Sequence, residues 1–88
     1  MNTIRGGLER GLYQHVPDGE VYIIESYPDG TVVGVCGPLV YAEVKAGDLW
    51  NYDCSPDGAD WAQAETEAEN GPRFIWKDIA EFEAARAT

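Results

Sequence analysis

Basic side chains are scarce in this sequence: six Lys and Arg stand against sixteen Asp and Glu in 88 residues, a formal net charge of -10. That shortage disfavours free nucleic acid and anionic membranes as partners, since both repel negative charge. Histidine occurs once, at His15, so neither a His-rich metal centre nor a relay of imidazoles can be built. Cysteine occurs twice, and Cys36 and Cys54 are too few and too distant in sequence for a disulfide framework or a zinc site; two reduced, partly buried thiols are expected. Long apolar runs are missing. No stretch approaches the ~20 residues of a membrane span. The segment from Met1 to Tyr13 holds Arg5, Glu9 and Arg10 and no apolar core of signal-peptide length, so the expected location is the cytoplasm.

What the sequence does contain is enough apolar material to fold. Hydrophobic residues make up 44% and aromatic residues 11% of the chain, beyond the composition of a disordered acidic tail. Residues 1–88 are read as one acidic domain with a small core, whose modest stability a homodimer or a bound partner would supplement.

The tripeptide Pro-Asp-Gly recurs at Pro17-Asp18-Gly19, Pro28-Asp29-Gly30 and Pro56-Asp57-Gly58. Pro presets the first position of a three-residue hairpin loop, Asp suits the second, and Gly accepts the left-handed third. Each copy is therefore expected to close a hairpin. Across the second loop Tyr27 should face Thr31, Glu25 face Val33 and Ile23 face Val35. The same count across the first puts Tyr13 beside Ile23 and His15 beside Val21, so Tyr13, Ile23 and Val35 should share a sheet face.

Around the third loop, Trp50, Tyr52 and Cys54 alternate with Asn51 and Asp53, and Ala62 and Ala64 alternate with Gln63 and Glu65, which predicts a strand pair. A rival reading makes Asp57 a helix N-cap with a helix from Gly58 to Glu69, because Ala, Gln and Glu favour helix. The strand reading is preferred. Leu39 to Lys45 is expected to be a further strand, entered through Gly37-Pro38 and left through Ala46-Gly47-Asp48. Asn70-Gly71-Pro72 marks a break, and Asp78 three residues before Glu81 has the spacing of a capping box. A helix from Ile79 to about Ala87, or one starting near Pro72, would lay Ile79 and Phe82 on the sheet. The predicted fold class is α+β: a small antiparallel meander of five or six strands with a C-terminal helix packed on it.

Motifs for chemistry are weak. Asp53, Ser55, Asp57 and Gly58 match the first half of a calcium loop, but the twelfth position is Ala64 instead of Glu and Pro56 stiffens the fourth, so no metal is expected. His15 has no Ser or Cys beside it and reads as a surface or rim residue; no enzyme activity and no cofactor are expected. Gly6-Gly7 and Gly11 lack the Lys-Ser/Thr of a phosphate loop and read as a flexible lead-in.

The acidic run Glu65, Glu67, Glu69 carries the functional expectation. In an extended strand these carboxylates would line one side at intervals of roughly 6–7 Å, on the scale of a nucleic-acid backbone. Asp53, Asp57 and Asp60 on the preceding turn would extend the row, and Trp61 would anchor it. The expected partner is a Lys/Arg-rich protein surface, such as the groove of a nucleic-acid-binding protein, covered by a non-enzymatic inhibitor or decoy. In smallness and acidity the chain resembles, in type only, phage-borne anti-restriction and anti-CRISPR proteins, and no motif ties it to one family. The alternative is an immunity or accessory interaction protein, or a small phage structural subunit, whose acidity serves solubility and association.

Overall fold

The structure is a computed structural model that describes residues 8–77. Four strands form one antiparallel sheet: β1 (Glu9–His15), β2 (Val21–Ser26), β3 (Val32–Leu39) and β4 (Phe74–Trp76). Their order is β3-β2-β1-β4. One helix, α1 (Ala59–Thr66), lies between β3 and β4 in sequence. The α+β class and the antiparallel sheet follow expectation, while the strand count among the described residues is four. The capping box and helix expected from Ile79 lie outside the described residues. A start near Pro72 is excluded, because Phe74–Trp76 is strand.

Both faces of the sheet are covered, and the alternation of strand side chains divides the core in two. Leu12, Val21 and Ile23 point to one face, where Val44 and Leu49 close over them. Ile24, Val32, Val35 and Phe74 point to the other, where Ala62 of α1 packs. The adjacent residues Ile23 and Ile24 thus serve opposite cores, and complete burial of Leu12 and Ile23 contributes about 1.5–3 kcal/mol each.

The middle hairpin closes as expected at its tip. Tyr27 N donates to Thr31 O at 2.9 Å, Gly30 N donates to Tyr27 O at 2.9 Å, and Gly30 has φ of 96°. Beyond the tip the register departs from expectation. Ser26 pairs with Val32, but Glu25 pairs with Gly34, Ile24 with Val35 and Ile23 with Cys36, because a bulge absorbs Val33. The bulge lets Val32 and Val35, three apart, both face α1, which strict alternation would forbid.

The first hairpin is also displaced by one residue: Leu12 pairs with Ile23 and Tyr13 with Tyr22. The loop runs over four residues instead of three, with His15 N bonded to Glu20 O and Gly19 N to His15 O, each at 2.7 Å. Val16 is drawn out of the hairpin because its N–H donates to Arg73 O at 2.7 Å, on the β4 side. The shared face of Tyr13, Ile23 and Val35 is therefore not formed.

Pro56-Asp57-Gly58 closes no hairpin. It is a 3-10 turn leading straight into α1, with Pro56 at the first position and the Ser55 hydroxyl accepting from Asp57 N at 3.2 Å. The rival helical reading is the correct one, with Ser55 in the capping role assigned to Asp57. Residues 50–54 form no regular strand, since Ala46–Asn51 is a 3-10 segment. Its carbonyl groups find a side-chain donor: Arg10 Nη1 donates to Leu49 O and, at 2.6 Å, to Tyr52 O. Leu39–Lys45 is not a separate strand either. β3 runs through Gly37-Pro38 to Leu39, and a 3-10 turn at Tyr41–Glu43 delivers Val44 into the core. Gly11 belongs to β1 and is no lead-in; the Trp76 ring approaches within 2.6 Å of where a Cβ would sit.

Candidate functional site

The residues expected to bind a partner separate into two groups. Asp53, Asp57, Asp60, Glu67 and Glu69 are exposed. Asp57 sits in the 3-10 turn and Asp60 in the first turn of α1. Asp60 and Glu67 are seven residues apart, nearly two whole helical turns, and so lie toward one side roughly 10 Å apart, with exposed Ala64 between them. Glu67 accepts from Gln63 Nε2 at 2.7 Å. Gln63 in turn accepts from Val32 N at 2.8 Å, which fastens α1 to β3.

Glu65 belongs to the second group, facing the opposite way. The strand row Glu65, Glu67, Glu69 does not exist, because the helix through Thr66 rotates successive side chains by about 100° where a strand would repeat every second residue. Glu65 Oε1 instead lies 2.9 Å from Nε2 of His15. Trp61, the expected anchor, packs its ring at 5.1 Å from His15, 5.3 Å from Tyr22 and 5.5 Å from Phe74, and keeps 38% of its surface exposed. Trp61 is thus at once core wall and surface.

His15 is the residue that sequence reasoning misplaced. It is 7% exposed, enclosed by Tyr22, Trp61 and Phe74. A carboxylate only accepts hydrogen bonds, so Nε2 carries the proton shared with Glu65. Nδ1 lies 3.1 Å from Asp18 Oδ1, close enough for an ion pair but without hydrogen-bond alignment. Burial pulls the His15 pKa down, yet the Glu65 hydrogen bond and the Asp18 carboxylate outweigh it, and the net direction is up. Asp18 moves down, chiefly because its carboxylate accepts from Glu20 N, and further through His15. The one signal in the sequence was the position of His15 at the mouth of a Pro-Asp-Gly loop, which brings Asp18 to it.

Two cations within the described residues, Arg10 and Lys77, are engaged by the fold. Arg10 Nε donates to Glu25 Oε2 at 2.9 Å, and its guanidinium lies 4.9 Å from the centre of the Trp50 ring. Lys77 Nζ donates to Gln14 Oε1 at 3.2 Å and stands 5.4 Å from the Tyr41 ring centre. Neither one neutralises the acids beside α1. Among the described residues no group of three or more His, Cys, Asp or Glu is arranged to hold a metal ion, and no helix is long and apolar enough to cross a membrane.

Comparison with protein-family models, with curated proteins and with solved structures gives no match.

Proposed function

We propose that this chain is a non-enzymatic acidic binding protein that covers a Lys/Arg-rich surface of a larger protein, including a surface that otherwise holds nucleic acid. The observation that carries the reading is the set of exposed carboxylates at Asp53 and Asp57 before α1, Asp60 in its first turn, and Glu67 and Glu69 after it, while Arg10 and Lys77 are turned to internal partners. Carboxylates held in and beside a helix that Gln63 fastens to β3 lose less entropy on binding than those of a flexible acidic tail. Trp61 adds an aromatic surface whose ring is already held by its neighbours, so its ordering cost is low. The acids steer, and the aromatic edge anchors.

Exposed Trp50 and Trp76, at 57% and 53%, favour a second reading, an accessory or immunity module that docks by apolar contact while its charge serves association and solubility. Affinity capture from a lysate, followed by competition with DNA or RNA, separates the two. Displacement by nucleic acid and weakening between about 50 and 200 mM salt are expected of the decoy. A partner that nucleic acid does not displace identifies the accessory module.

A further inference from the structure

We propose that Cys36 and Cys54 form a redox pair that closes to a disulfide between β3 and the chain segment beside it. Both thiols are free in the structure. Val35 and Ser55 form an antiparallel bridge in which Val35 N donates to Ser55 O at 3.1 Å and Ser55 N to Val35 O at 2.8 Å. The next residue along β3 is Cys36, and the preceding one on the other segment is Cys54. Extending that single bridge by one residue sets Cys36 opposite Cys54 at a non-hydrogen-bonded position, where antiparallel Cα atoms approach to about 4.5 Å and side chains come closest. That separation falls within the roughly 4.4–6.8 Å that a disulfide spans.

Side-chain placement agrees with the register. Both cysteines pack against the same core, that of Leu12, Ile23 and Leu49. Cys54 Sγ lies 4.0 Å from Ile23 O, and Ile23 is the β2 partner of Cys36, so both residues adjoin one point of β2. Cys54 is seated over the side-chain-free Gly34, where a Cβ would stand 3.0 Å from its own, one position along the same face of β3 from Cys36. The sequence separation that argued against a disulfide framework is spanned by the 3-10 segments at 41–43 and 46–51, which fold back over the sheet.

The chemistry needs an oxidant, and a small disulfide such as glutathione disulfide supplies it. Burial raises both thiols, Cys54 to about 11, while Arg10 draws each back down, so the thiolate fraction is small and Cys36 is the thiol that reacts first. Its thiolate, having released a proton to water, attacks one sulfur of the reagent; a protein–glutathione disulfide forms and one glutathione thiolate leaves. Cys54, deprotonated in turn, attacks Cys36 Sγ and expels the second glutathione. Two protein thiols are oxidised, one reagent disulfide is reduced to two thiols, and the protons balance.

The test is equilibration of the whole chain in glutathione redox buffers, acid quenching, thiol alkylation and intact-mass measurement, with and without urea. A monomer that takes up no alkylating reagent, with a peptide map linking Cys36 to Cys54, is expected. The effective concentration of the pair in the folded chain should exceed its value in urea, where a flexible loop gives the millimolar range, by tenfold or more. The disulfide should raise Tm by roughly 10 °C or more. Cys36→Ser and Cys54→Ser should each stop at a single glutathione adduct. Two alkylated thiols in oxidising buffer, adducts that never close, or an effective concentration no higher folded than unfolded would overturn the proposal.

Discussion

A neutral His15 ring, with its Nε2–H donating to Glu65, would aim the Nδ1 lone pair at the Asp18 carboxylate 3.1 Å away. Protonation strengthens the Glu65 hydrogen bond and turns that repulsion into an ion pair; together these outweigh burial, raise the pKa and fix the sign of a pH dependence. Since the folded value lies above the ordinary 6.5, the pair's contribution is complete below that value and is lost as pH rises through the folded pKa. Urea unfolding should therefore show stability falling from about pH 6 toward alkaline pH, with the slope reduced in His15→Gln and in Glu65→Gln. An imidazole NMR titration in the folded protein that lies below the ordinary value would contradict the mechanism. Gly30 offers a separate residue-scale check. Its φ of 96° strains any side chain, so Gly30→Ala should cost about 1 kcal/mol or more by chemical denaturation, although the space around it is open. Gly58 ends the same tripeptide, but its φ is -81°, and an added Cβ would press on Val35 at 3.1 Å. The same substitution there tests packing and not the turn.

At the scale of elements, one tripeptide has three outcomes, which shows what was legible in the sequence. Pro28-Asp29-Gly30 lies between Ile24-Glu25-Ser26-Tyr27 and Thr31-Val32-Val33, β-prone on both sides, and closes the hairpin its residues encode. Pro56-Asp57-Gly58 follows a capping Ser55 and precedes Ala59-Asp60-Trp61-Ala62, so the same residues start a helix. Pro17-Asp18-Gly19 gives a hairpin displaced by one residue, because β4, which returns from far along the chain, takes the Val16 donor. Local signals thus located the turns, and distant partners decided what each turn joined. Arg10 is the clearest such partner. Nothing in its sequence surroundings marks it as structural, yet it holds Glu25 and the carbonyls of Leu49 and Tyr52, with 10% of its side chain exposed. Arg10→Ala should destabilise by about 3 kcal/mol, since it strands the Glu25 carboxylate and two carbonyl acceptors, whereas Arg10→Lys should recover part of this by keeping the charge. Hydrogen exchange should quicken first in the 46–52 segment. An Arg10→Ala protein as stable as the parent would show that the segment is held by Leu49 alone.

For the whole molecule, a net charge of -10 makes salt act on folding and on binding in opposite directions. Self-repulsion among the carboxylates weakens the compact state, so added salt should raise stability, while the same screening should lower affinity for a basic partner. The total charge was plain from composition, but the identity of the carboxylates left free for a partner was not. Glu65, Glu67 and Glu69 are alternate residues in sequence, yet Glu65 closes on His15 while Glu67 and Glu69 face solvent, a division that depends on where α1 lies against the sheet. Charge variants should respect that division. Replacing Asp57, Asp60, Glu67 and Glu69 with their amides should slow association with the captured partner by about tenfold at low salt and leave dissociation nearly unchanged, as expected for steering charges. Glu65→Gln should leave association unchanged and alter stability and its pH dependence instead. Trp61→Phe, which keeps a ring against Tyr22 and Phe74 while trimming the exposed edge, should act mainly by hastening dissociation. Stopped-flow or surface-based kinetics distinguish these outcomes. An association rate that ignores both salt and the fourfold amide variant would show that the carboxylates in and beside α1 do not meet the partner.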